Sequence, residues 1–365
     1  MRAIQVSRFG GPEVLDVVEV AEPVPGPEEV LVEVAAAGVN YADTHRTEGS
    51  YSGGTVLPFI PGIEVIGRAA DGRRVLAPTF AGGGYAEVAV VPAAHAVVVP
   101  DEVADGDALA LLVQGLTAWH VLRSSAHLAS GESVVVNAGA GGVGSLVVQL
   151  AKYFGAGRVI ATASTPDKRA LAVRLGADVA VDSAPDGYAA RVRAANDDRP
   201  VDVVLDSTGG KTMLAGLDVL AGFGRLVTYG NAAREGRPLV DTGLLAESNR
   251  AVAGFWLRPA MDYPGAYHEP LAELLKLTAA GRIRPLVGGS YQLAEACRAH
   301  EDLLARRTTG KLILRPRSSS RTASQAISTW ARTPRSRRTG ASTSLCPTPT
   351  PTRSHSARPR SAERY

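Results

Sequence analysis

The stretch "VVVNAGAGGVGSLVVQLAK" carries the residues whose spacing most directly implies chemistry, Gly139-x-Gly141-x-x-Gly144. An apolar run precedes the glycines and a helical pattern follows them, the setting in which such glycines let a diphosphate reach backbone N–H groups at a helix N-terminus. Gly139, Ala140, Gly141, Gly142, Val143 and Gly144 are therefore candidate dinucleotide contacts. About 20 residues on, at the end of the next strand, an acidic residue would hold the ribose 2′-hydroxyl of NAD. Ser164 stands there instead, in "ATASTPDK". Thr165 and Pro166 read as an N-cap and a first-turn proline, which puts Lys168 in the first helical turn, where a cation opposes the helix dipole. A 2′-phosphate beside Ser164 and Lys168 accounts for that placement, so the cofactor expected is NADPH; a solvated surface lysine is the alternative.

A second signal is a lone charge. Glu64 lies between Ile63 and Val65 in "IPGIEVIG". A carboxylate in such a run is costly to bury without a partner. The two cysteines, Cys297 and Cys346, exclude a disulfide framework and a Cys-rich zinc site. Cys297, in "LAEACRAHEDLL", reads as an inert core thiol.

These residues need elements to position them. Residues 1–115 read as short strands separated by turns, with "EEVLVEVAAAGVN" and "YAEVAVVPAAHAVVVP" as β-rich runs, which suggests a small barrel-like β domain. Residues 116–254 alternate apolar strands ("ESVVVNA", "GRVIATAS", "VDVVLDSTGG", "GRLVTYGN") with helical patterns, which means βαβ units and a parallel sheet. Residues 255–316 return to mixed structure, ending on the strand "TGKLILRP", and are expected to complete the first domain. The chain has no apolar run of 18 residues and no signal-peptide pattern, so neither a membrane span nor secretion is expected, and the location expected is cytoplasmic.

The formal charge of +3 is set by the last 49 residues, which hold ten Arg, no Lys and one acid. Without them 29 basic and 35 acidic residues remain, so the rest of the chain is acidic and offers no electrostatic basis for binding nucleic acid. The Ser-, Arg- and Pro-rich stretch 317–365 lacks aliphatic periodicity and is expected to be disordered, whether as a dispensable extension, a basic arm for an acidic partner or the product of a shifted reading frame.

Together, "AGAGGVGSLVVQLAK", "QGLTAWHVL", "DSTGG" and "GVNYADTH" resemble the zinc-independent quinone oxidoreductase branch of the medium-chain dehydrogenase/reductases, which includes zeta-crystallin-like enzymes. The resemblance covers about residues 1–316. It implies an α/β chain with a GroES-like β-rich catalytic domain (1–115, completed by 255–316) and a doubly wound Rossmann domain (116–254). Zinc-dependent relatives carry a Cys where Asn40 stands and the His of "GHE" where Ile63 stands, so no metal is expected. Asn40, Asp43 and Tyr51 become the candidate catalytic residues, each with a plain alternative: a turn cap, a helix N-terminal acid and a surface residue. His45 stands where relatives often have Tyr and reads equally as structural. Thr117, Ser207, Tyr229, Gly230 and Asn231 are further expected cofactor contacts, with an N-cap as the alternative for Thr117. Phe255 and Trp256 either close over the nicotinamide or serve as core or dimer contacts. Ser183 replaces a tyrosine that relatives place near the adenine. The expected activity is NADPH-dependent hydride transfer to a quinone, an α,β-unsaturated carbonyl or a similar activated double bond, by a homodimer. An enoyl-thioester reductase and a low-turnover, crystallin-like NADPH-binding protein are the alternatives.

Overall fold

The computed structural model of the chain describes residues 1–51 and 54–316; the expectation of disorder for 317–365 lies outside the described residues. Six short apolar segments between residues 133 and 254 pair into one all-parallel sheet. Its spatial order is Val179–Asp182, Arg158–Ala163, Ser133–Val136, Val201–Asp206, Leu220–Thr228, Ala251–Gly254. In chain order this is 3-2-1-4-5-6, the doubly wound arrangement, with its switch point between Ser133–Val136 and Val201–Asp206. The period of two along a strand sends Val134, Val136, Val203 and Leu205 into the apolar cluster on one face, and Val135 and Val204 into that on the other. Both faces are covered, which is why these strands read as unbroken apolar runs rather than alternating ones.

The second sheet has seven strands. Its path runs Val287–Gln292, Lys311–Arg315, Glu29–Val39, Glu64–Ala69, Arg74–Pro78, Val97–Val98, with Val88–Pro92 also paired to Glu29–Val39. Only the Val287–Gln292 and Lys311–Arg315 pair is parallel. Leu312 pairs with Val39, so the last described strand enters beside the longest strand of the N-terminal segment.

One element differs from the sequence reading, which carries short strands to residue 115. A continuous helical stretch instead begins at Asp105 and runs through α Asp105–Ala110, π Leu111–Gly115, α Leu116–His120 and π Val121–Ser125. Leu109, Leu111, Leu112, Leu116, Val121 and Leu122 are all buried. A helix apolar on every side is a core helix, and it lacks the periodicity that would flag it in the sequence. Wide π turns are frequent at functional sites, and this one frees an amide used below.

Candidate active site

Glu64 finds its partner in Lys311. Their side chains form an ion pair, and both are 0% exposed. Asn40 bridges the pair. Its Nδ2 donates to Glu64 Oε1 at 2.8 Å and its Oδ1 accepts from Lys311 Nζ at 2.9 Å. The other carboxylate oxygen of Glu64 accepts from the Val113 backbone N–H in the π turn, at 3.0 Å. Gly38 leaves the space for this group: a Cβ there would stand 2.6 Å from Lys311 Cε and 2.8 Å from Glu64 Cδ.

Asn40 precedes the helix Tyr41–Glu48, whose fully buried Asp43 accepts the Asn40 backbone N–H at 2.8 Å. The same Asp43 oxygen accepts from the Tyr85 hydroxyl at 3.1 Å, and Tyr85 lies 3.1 Å from His300 Nε2. All three residues of this chain are buried. Burial is the chief cause that raises the Asp43 carboxyl to about 6 and lowers His300 to about 4. Asp43 thus holds the backbone of Asn40 and has no exposed surface with which to meet a substrate.

Around the glycine turn, each missing side chain has a physical reason. A Cβ on Gly139 would lie 2.7 Å from Ala161 Cβ, and one on Gly144 would lie 2.9 Å from the Ala138 carbonyl carbon. A Cβ on Gly142 would approach Gln114 Oε1 to 2.6 Å. Val143 follows in the first turn of helix Gly142–Tyr153. Thr117 lies within its helix rather than capping it, its hydroxyl donating to Val113 O at 2.7 Å. The turn is tied to the other sheet by Gly310, whose N–H donates to Ala140 O at 3.2 Å, one residue before Lys311.

At the switch point, Asn137 joins Asp206 at 2.9 Å, Thr162 at 3.0 Å and Tyr188 at 2.8 Å, locking the C-terminal ends of three neighbouring strands. Ser207, Tyr229, Gly230 and Asn231 meet just beyond: a Cβ on Gly230 would stand 2.7 Å from Ser207 O, and one on Gly209 would stand 2.7 Å from Asn231 Oδ1. Ser164 is exposed at the end of Arg158–Ala163. Thr165 caps the following helix, accepting from Lys168 N at 3.3 Å. Lys168 Nζ donates to Arg306 O at 2.6 Å, and burial together with the nearby Arg306 guanidinium lowers its pKa. Arg306 is a residue that sequence reasoning missed, as is Lys311; Arg306 lies 138 residues away and belongs to no motif.

The opposite wall joins distant segments. Trp256 Nε1 donates to the Tyr51 hydroxyl at 3.1 Å, with the rings edge to face at 5.7 Å. Phe255 stacks on His120 at 5.7 Å. Arg234 bridges the cleft: it pairs with Glu48, donates to Thr44 Oγ1 at 2.8 Å and lies over the Tyr41 ring. His45 is held by Ser50, Nδ1 to Oγ 2.9 Å, on the same helix. Cys297 is only partly buried, near Glu301, rather than in the core.

The site suits a dinucleotide in one further respect. Gln114 Oε1 and Asn231 Oδ1 are buried without a hydrogen-bond partner among the described residues, and both lie on segments that border the glycine turn or the strand ends. Unpaired buried polar atoms are rare and call for a ligand or water. Zinc does not fit in the same way. Among the described residues no group of three or more His, Cys, Asp or Glu is placed to hold a metal ion. Beside Asn40 and Glu64 the ammonium of Lys311 already supplies the positive charge. No described helix is long and apolar enough to cross a membrane.

Residues 26–101 match the alcohol dehydrogenase GroES-like domain, and residues 142–274 match the zinc-binding dehydrogenase domain. A quinone oxidoreductase of Pseudomonas aeruginosa is 35% identical over 334 residues, covering 86% of this chain and 99% of that protein. A mycobacterial structure complexed with NADPH is 37% identical, with a TM-score of 0.80, covering 87% of this chain and 100% of that one. The Escherichia coli quinone oxidoreductase complexed with NADPH is 31% identical, with a TM-score of 0.81 and the same coverage.

Proposed function

The chain belongs to the quinone oxidoreductase branch of the medium-chain dehydrogenase/reductases, and on that premise we propose that it is a metal-free, NADPH-dependent reductase of quinones and related conjugated carbonyls. The observation that carries the reading is the fixing of the Asn40 side chain by Lys311, whose neighbour Gly310 is bonded to the glycine turn at Ala140, with Tyr51, held by Trp256, as a second hydrogen-bonding side chain. NADPH, when bound, supplies the hydride. Gly139 to Gly144 leave room for its diphosphate, and Ser207, Tyr229, Gly230 and Asn231 border it at the strand ends. Ser164, Lys168 and Arg306 receive its 2′-phosphate. Lys168, bonded to the Arg306 carbonyl, and the nearby Arg306 guanidinium have no carboxylate partner among the described residues, and two such cations make an anion site.

Hydride arrival at a conjugated carbon drives charge onto the carbonyl oxygen, and fixed donors stabilise that charge. One Asn40 N–H is held by Glu64, which leaves the second free to donate. The Tyr51 oxygen accepts from Trp256, so its own O–H is free for the same oxygen. Burial, above all, raises the Tyr51 pKa, so in this reading the phenol keeps its proton and serves as a hydrogen-bond donor to the developing oxyanion. Asp43 acts through the Asn40 backbone rather than on the substrate. Phe255 and Trp256 close the wall.

The reading includes a homodimer formed along the open edge strand Ala251–Gly254. Phe223, 83% exposed and donating its backbone N–H to Asn249 O just before that strand, offers an apolar contact at the edge. It also includes a cytoplasmic location, which suits NADPH chemistry and a free thiol at Cys297. The test is steady-state oxidation of NADPH and NADH with a quinone, an enone and an enoyl thioester, on protein assayed for metal. Quinone or enone turnover with NADPH in metal-free protein is expected. Preference for the thioester would favour a chain-elongation enoyl reductase. Tight NADPH binding with no turnover would favour the crystallin-like alternative, and stoichiometric zinc would sink the metal-free reading.

A further inference from the structure

We propose that the buried Glu64–Lys311 pair is a positioning device that sets the Asn40 amide and indexes it to the dinucleotide turn. The proposal rests on the functional reading above and adds residues to it. A fully buried ion pair is a poor way to gain stability, because desolvation offsets most of the attraction. This one joins four elements instead. Lys311 opens the last described strand, Glu64 opens another, Asn40 caps a helix and Val113 lies in the π turn that carries Gln114. Lys311 offers only donors and Glu64 in its charged form only acceptors, so together they dictate which end of the Asn40 amide is oxygen. The free N–H then has one direction. Gly310, the residue before Lys311, is bonded to Ala140 O and bridges Gly141. A single residue step therefore links the ammonium that holds Asn40 to the turn that would hold the diphosphate. Gly38 keeps the pair from being pushed apart.

The test pairs the double replacement Glu64→Gln/Lys311→Met, which removes both charges at nearly constant size, with Asn40→Ala in a double-mutant cycle on kcat. A misplaced donor costs up to roughly a hundredfold in rate, so kcat should fall roughly 10- to 100-fold when Asn40 is present. It should change less than about twofold in the Asn40→Ala background. A purely structural pair would lower kcat equally in both backgrounds, which would overturn the proposal. If the neutral pair does not fold, Lys311→Arg keeps the charge but alters its shape, and the same cycle applies with the same two outcomes. The crystal structure of the folded variant gives a readout independent of turnover. A rotated or disordered Asn40 amide supports the proposal, and an Asn40 amide in its original place refutes it. Wild-type protein without turnover on any substrate would count against the functional reading and leave this structural readout to decide.

Discussion

Replacing either end of the buried Asp43–Tyr85–His300 chain will uncover a pH dependence of stability that the intact protein largely hides. Asp43 moves from an ordinary 3.8 to about 6 on folding, because burial disfavours its charge. The native state therefore holds that proton more tightly than the unfolded chain. The stability it contributes is fully present below pH 3.8 and is lost as pH rises through 6. A displacement of about two pH units corresponds to about 3 kcal/mol. His300 runs the other way, from 6.5 down to about 4, again through burial. Its contribution is present above pH 6.5 and is lost as pH falls through 4, also by about 3 kcal/mol. The two contributions oppose each other across one window. Asp43→Asn should leave a protein whose stability rises by about 3 kcal/mol between pH 4 and 6.5, and His300→Gln one whose stability falls by about as much. Urea unfolding followed by tryptophan fluorescence at both pH values measures each. The informative quantity is the difference between the two variants, about 6 kcal/mol, since the titration of other groups is common to both and cancels. Parallel profiles, agreeing within about 1 kcal/mol, would refute the opposed burial of the two groups.

Three other outcomes are expected. Gly38→Ala forces a methyl against two fully buried side chains and should cost about 2–4 kcal/mol in unfolding free energy; a loss below about 0.5 kcal/mol would mean that the pair can yield. Lys168→Ala and Arg306→Ala should each raise KM for NADPH about tenfold, the loss of one charge-assisted contact, with KM for NADH unchanged; equal effects on both cofactors would argue against a 2′-phosphate site. Trp256→Phe removes the donor to Tyr51 and should raise KM for the quinone roughly 3- to 10-fold while the fluorescence-measured Kd for NADPH stays put; a matching rise in that Kd would place Trp256 on the cofactor instead.

The parts of the site legible in the sequence are those encoded by local contact. The spacing of Gly141 and Gly144 follows from contacts with Ala138 and Gly139 close by in the chain, and the Thr165 cap on Lys168 is made within one turn. What stayed hidden depends on long-range pairing. Arg306 reaches Lys168 only because the chain returns to the seven-stranded sheet after the all-parallel one is complete. Lys311 left a trace that could have been used. It is a cation at the head of an apolar strand, "TGKLILRP", as Glu64 is an anion at the head of another, "IEVIG", and each unpaired charge is evidence for the other. The helix from Asp105 was unreadable for the opposite reason: its apolar residues surround it, so no face stands out.

The pairing of Asn40 with Lys311 has a consequence for how the protein is made. The two residues are 271 positions apart, and at about 5–20 residues per second the ribosome needs roughly a quarter of a minute to a minute to cover that distance. For the last 247 of those 271 positions Glu64 has been synthesised and its cation has not. The seven-stranded sheet cannot bury that carboxylate at its final cost until the closing strand emerges. The nascent N-terminal segment must then wait, with its central edge open, while the nucleotide-binding half folds. Completion of the catalytic site thus waits for residue 311 to emerge, and a chain that stops short of it lacks the charge on which that completion depends.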